Sequence, residues 1–216
     1  MEACVCPKPA SLTDVLRATC KENLGQIQRF IFQRVGEDNH FAVAPGGLGL
    51  ITALASWTPL WIATDDSKVV SSPYVENFVI PRTEAVTEGG GDNSTLDGIE
   101  MVIGANAATA IGQIAETPSS ILAALRTLMC EPELQVYMIN QWGQVIGRDN
   151  LPEAPGTDVV GIPIRAFFVS DADNNGLNTR DKADIRFGLE YGWRDNLAII
   201  KPTTYNAKTQ LWPPVA

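Results

Sequence analysis

A single histidine, His40, occurs in the 216 residues, and it sits in Asp38-Asn39-His40-Phe41 with no nucleophile motif beside it. A conventional Ser/His/Asp centre is therefore not expected, and His40 reads as a turn histidine satisfied by its neighbours. Acidic pairs such as Asp65-Asp66 have the chemistry for acid and base work, but their spacing defines no substrate cleft. No enzymatic activity is expected. Charge is also scarce: charged residues make up 19% of the chain, below the roughly 25% usual for globular domains. That shortage points to surface covered in an oligomer. Positive charge is in the minority, with 16 Lys+Arg against 25 Asp+Glu and a net charge of −9, which excludes a protein whose task is to grip nucleic-acid phosphates. No long apolar run is present, because residues 48–63 are broken by Thr52, Ser56, Thr58 and Pro59. No basic segment leads into an apolar one at Met1, so neither membrane insertion nor export is expected, and the chain should remain in the cytosol. The four cysteines, Cys4, Cys6, Cys20 and Cys130, read as free thiols. Cys4-x-Cys6 with Cys20 has three potential zinc thiolates without CxxC spacing, and no cofactor is expected.

Several elements can be read directly. A helix with caps at Ser11 to Asp14 carries Val15, Leu16, Ala18 and Cys20 on one face. Residues 26–35 alternate and then become continuously apolar, as a strand buried on both faces would, and 36–39 form a turn. Residues 45–61 leave two choices open, a glycine loop at 46–49 or a short helix over 50–57 ended by Pro59. Gly46-Gly47-x-Gly49 lacks the lysine and spacing of a phosphate loop. Residues 74–80 and 99–104 read as extended, joined through the polar stretch 87–95, so a long hairpin with a mobile glycine-rich tip is expected.

After Thr117 as cap and Pro118 as first helical residue, Ile121, Leu122, Leu125, Leu128 and Met129 recur at helical spacing until Pro132. Gln141-Trp142-Gly143 joins two strands in a tight hairpin, and 152–157 is linker-like. Strands follow at 161–169, 184–191 and 197–200. The fold class expected is mainly β, a β-sandwich or partly closed barrel with one flanking amphipathic helix and an extended hairpin loop. Its divisions are an N-terminal arm or short helix at 1–23, one β-rich domain at 24–200 and a C-terminal arm at 201–216.

The stretch from Asp171 to Lys182 places Asp171, Asp173 and Asn175 at positions 1, 3 and 5 before Gly176, as in a calcium loop. Position 12, which should supply a bidentate Glu, is Lys182, and the flanks read as strands, so calcium should be dispensable. The alternative is a strand connection whose Asp and Asn side chains form local turns.

The order of a first strand, a long hairpin with a polar glycine-rich tip, an amphipathic helix after Thr117-Pro118 and then antiparallel strands resembles the major tail tube proteins of long-tailed bacteriophages. The resemblance spans roughly residues 24 to 200 and implies a structural virion protein assembled in the host cytoplasm. In that family a β-sandwich with one flanking helix forms hexameric rings that stack into a tube. The implied partners are other copies of the chain and other virion proteins, with DNA only as non-adhering cargo in the lumen. The loop residues Glu88, Gly89, Gly90, Gly91, Asp92, Asn93 and Ser94 would join successive subunits. Acidic character suits a channel through which DNA slides, since like charge prevents phosphate contacts. A second class remains open: a calcium-stabilised β-sandwich that binds glycans or another ligand, with Trp142 and Trp193 as candidate platforms. Another capsid-associated or tail-adaptor role also remains open.

Overall fold

Strand β1 (Ile27–Arg34) carries Phe30 and Phe32 on one face and Ile31 on the other, and all three are buried. Its neighbour β8 (Leu134–Asn140) is buried at every position. This central pair therefore has a core on each side, which is why its sequences are continuously apolar instead of alternating. The computed structural model describes residues 22–42, 47–91, 98–151, 154, 156–174, 176–177 and 179–213. The expected helix after Ser11, the thiols Cys4, Cys6 and Cys20, half of the 152–157 linker and the tip residues Asp92, Asn93 and Ser94 lie outside them.

The remaining strands are β2 (Phe41–Ala42), β3 (Val69–Ser71), β4 (Val75–Val79), β5 (Ala85–Glu88), β6 (Met101–Ala105) and β7 (Ala108–Ala115). After the helix come β9 (Val145–Asp149), β10 (Asp158–Val160), β11 (Ile162–Val169), β12 (Lys182–Leu189) and β13 (Leu197–Ile200). Eleven of them form one antiparallel sheet with the path β2-β10-β9-β8-β11-β12-β7-β4, while β1 joins β8 to β3 and β13 joins β9. Along its second edge β8 pairs first with β11, through Leu134 to Val136, and then with β9, through Met138 and Ile139. The sheet divides at this strand and folds over itself. The chain is thus mainly β and sandwich-like, not a closed barrel.

The first core lies between β1, β8 and the β11-β12-β7-β4 layer, where Phe30 meets Phe187 edge-on at 5.3 Å and Phe32 meets Phe167 at 4.9 Å. Helix α2 (Ser119–Thr127) adds Leu122 and Leu125 to it. This is the expected amphipathic helix, shifted by one residue: Pro118 is the cap, and the Thr117 hydroxyl donates to Ala115 O instead. Ile121 and Met129 stay exposed.

The second core forms on the opposite face of β1 and β8, under helix α1 (Leu54–Ile62). Pro59, expected to end that helix, lies inside it and faces solvent. Burial of Trp57, Leu60 and Trp61 outweighs the one backbone hydrogen bond that proline cannot make. Residues 201–213, set apart from the domain on sequence grounds, bring Tyr205, Ala207 and Leu211 into the same core. The short helix α3 (Ala207–Gln210) lies there, its N-terminus capped by the Asn206 side chain.

Candidate functional site

β5 and β6 pair only with each other, as a two-stranded sheet separate from the main one. The arm leaves the core after Ile80, which packs against the first cluster, and it closes where the Asn106 amide donates to Glu84 O at 2.9 Å. Successive strand residues point to opposite faces, so Met101, Val102 and Ile103 present apolar side chains on both sides of the ribbon. They are 57%, 71% and 60% exposed, and Ile99 just before them is 62% exposed. An isolated two-stranded hairpin is marginal in water. One with two bare apolar faces leaves apolar surface in water that neither of the subunit's own cores covers.

Of the expected joining loop, Glu88 is the last residue of β5, not part of an irregular tip. Gly89, Gly90 and Gly91 follow with φ of 93°, 88° and 115°. The hairpin partner of β6 is β5, while β4 turns away to pair with β7. The sequence marked the 99–104 strand and a glycine-rich tip but assigned the hairpin the wrong first strand, 74–80 in place of β5. The exposure of the arm was not legible, because an unbroken apolar run such as Met101-Val102-Ile103 also describes a buried strand.

The calcium-loop candidates face other partners. Asp171 Oδ1 lies 2.6 Å from Arg126 Nη2, on α2. Asp173 Oδ1 accepts the Lys182 amide at 2.7 Å, and the Asp173 amide donates to Lys182 O at 2.9 Å. Asn175 lies outside the described residues. Lys182 opens β12 and extends toward Glu76 at 3.5 Å. The stretch therefore serves as the β11–β12 connection, closed by side chain to backbone bonds. Among the described residues no group of three His, Cys, Asp or Glu side chains is placed to hold a metal.

His40 Nδ1 lies 2.7 Å from Asp158 Oδ1, and Asp158 Oδ2 accepts from Asn150 Nδ2 at 3.0 Å. The histidine is thus satisfied across β2 and β10, as a structural residue would be. Asp65 and Asp66 do not act as a pair. Asp65 accepts from the Ser67 hydroxyl and amide, which hold its carboxyl below the ordinary value, while Asp66 faces Arg34 at 2.6 Å. Arg34 also holds Glu131 at 2.6 Å and keeps that carboxyl below the usual range.

Trp142 occupies the β8–β9 turn, where the Asn140 side chain accepts from the Trp142 and Gln144 amides. Its ring covers Gly25, where a Cβ would come within 2.4 Å of it. Trp193 packs partly against the first core. The two tryptophans fall on different turns and form no shared platform. Cys130 is exposed at the end of the short 3-10 turn Leu128–Cys130. No helix among the described residues is long and apolar enough to cross a membrane. No protein-family model matches the chain, and no curated protein sequence matches it.

Proposed function

We propose that the chain is a structural virion subunit that self-associates into rings stacked as a tail tube, with the β5–β6 arm joining neighbouring copies. The observation that carries this reading is the ribbon itself, whose Met101, Val102 and Ile103 side chains are exposed on both faces. A partner that covers them regains about 25 cal/mol for each Å² of apolar surface removed from water. The sandwich-like body with the amphipathic helix α2 packed on its first core supports it too, as does the acidic balance of −9, which suits a lumen for DNA passage. Six subunits per ring and other virion proteins as partners follow from the family resemblance.

Negative-stain microscopy and light scattering of the purified chain test the proposal. Rings or tubes growing with concentration are expected, and a strict monomer at high concentration would refute it. Removing residues 89–94 should leave the subunit folded and impair stacking of rings. Normal tubes from that variant would remove the joining role from the arm tip.

A further inference from the structure

At the foot of the arm, Ile80 and Arg82 face Trp193 and Arg194 across a groove of about 280 Å³. The two arginines come from segments more than a hundred residues apart in sequence, the chain leading into β5 and the turn between β12 and β13. Arg194 lies against the Trp193 ring, 5.8 Å from its centroid. Among the described residues neither Arg82 nor Arg194 has a carboxylate partner, a state shared with Arg29, Arg148 and Arg186, whereas Arg34, Arg126, Arg165 and Arg180 are paired. In a chain with nine more acids than bases, an unpaired basic groove with an aromatic wall calls for an anionic partner. A second groove across Trp193 mixes Arg148 with Asp195 and Glu190 and has no single sign.

Acid without base is found on the arm. Residues 84–105 contain Glu84, Glu88, Asp92, Asp97 and Glu100 and neither lysine nor arginine. Glu84, Glu88 and Glu100 are exposed, and among the described residues none of them forms an ion pair. The extended chain from Glu84 to Glu88, at the end of β5, reaches about 13 Å at roughly 3.3 Å per residue. It carries these acids and the apolar ribbon away from its own body.

We infer that the groove formed by Arg82, Trp193 and Arg194 receives the acidic arm of a second copy of this chain. The inference rests on the self-association proposed above and names its receptor. Arm and groove are different patches, so the contact is heterologous: each copy gives an arm to one neighbour and accepts one from another. Such contacts close into rings or continue as filaments instead of stopping at a dimer.

Charge exchange in the full-length chain tests the pairing. Both Arg82→Glu/Arg194→Glu and Glu84→Arg/Glu88→Arg should raise the concentration for half-assembly by about tenfold or more, because each sets like charges against each other. Combining the four substitutions in one chain should restore assembly, and circular dichroism should show all three variants folded. If both double variants assemble like the parent, the receptor is wrong while self-association stands. If both fail and the combined chain does not recover, the pairing is also wrong. A parent chain that stays monomeric overturns both proposals. An arginine variant that assembles normally but loses binding to a fluorescent DNA oligomer would make the groove a phosphate site and overturn the inference.

Discussion

Tyr137 stands edge-on to Phe41 and Trp57, with ring centroids 5.5 Å away in each case, and it is fully buried. Its hydroxyl lies toward the Gly161 amide without completing a hydrogen bond, and burial raises it well above the ordinary tyrosine value. An unmet buried hydroxyl costs about 1–3 kcal/mol, so Tyr137→Phe should raise stability by about 1 kcal/mol in urea unfolding near neutral pH. A loss there would mean that the hydroxyl has a partner. The pH dependence has a definite sign. A group whose folded value is raised contributes stability fully below its unfolded value, near pH 10, and loses it as pH climbs further. The variant should therefore lose less stability than the parent above pH 10. Tyr205, whose hydroxyl burial also raises, supplies part of the loss that remains. Arg29 works in the opposite direction. Its guanidinium is buried between the rings of Tyr74 and Trp212, 4.5 Å and 3.6 Å from their centroids, with one bond to Leu211 O and with Nε and Nη2 unpaired. Burial pushes it down to about 10, so its positive charge is a cost at neutral pH that the two aromatic faces offset.

At the scale of elements, β7 is the longest of the strands that periodicity did not reveal. Its sequence, ATAIGQIA, turns Ala108, Ala110 and Ile114 inward and Thr109 and Ile111 outward, so inward and outward faces differ in size more than in polarity. Small inward residues are needed because Val75, Phe78 and Phe187 already fill the space. A Cβ on Gly112 would come within 2.6 Å of Val75 Cγ1 and 3.0 Å of Phe78 Cδ2. Gly112→Ala should therefore cost about 1–3 kcal/mol through overpacking, more than the roughly 0.4–1 kcal/mol gained by restricting the unfolded chain. Thermal unfolding measures the difference, and an unchanged or higher midpoint would show that β4 moves aside without cost. Among the strands that were legible, β1, β8, β11 and β12 stand out because their large apolar residues sit on a fixed side or fill both. The α1 boundary was misplaced because a proline inside a helix looks like a stop until the buried Trp57, Leu60 and Trp61 are seen to hold it.

For the whole molecule, the decisive feature is an arm separate from both cores. Val102→Ser with Ile103→Ser removes side chains that are 71% and 60% exposed, so subunit stability should change by no more than about 0.5 kcal/mol. Assembly followed by light scattering should be reduced. Unchanged assembly would show that the ribbon is not covered by a partner, and a large drop in the unfolding midpoint would show that it belongs to the fold.

The sequence by itself determined the local choices: strands where apolar residues alternate or run together, α2 from its helical spacing, and turns where Asn140 and Gly143 sit between strands. These depend on neighbours within a few residues, and period and turn chemistry carry them. It also determined the acidic balance. Only the tertiary structure decided which apolar runs are buried. β8 and the Met101–Ile103 stretch read alike, yet one lies between two cores and the other faces water on both sides. Likewise only the fold brought Arg82 beside Arg194 and set Arg126 against Asp171. Burial and pairing are sums over residues distant in the chain, and no local pattern records where those residues will meet.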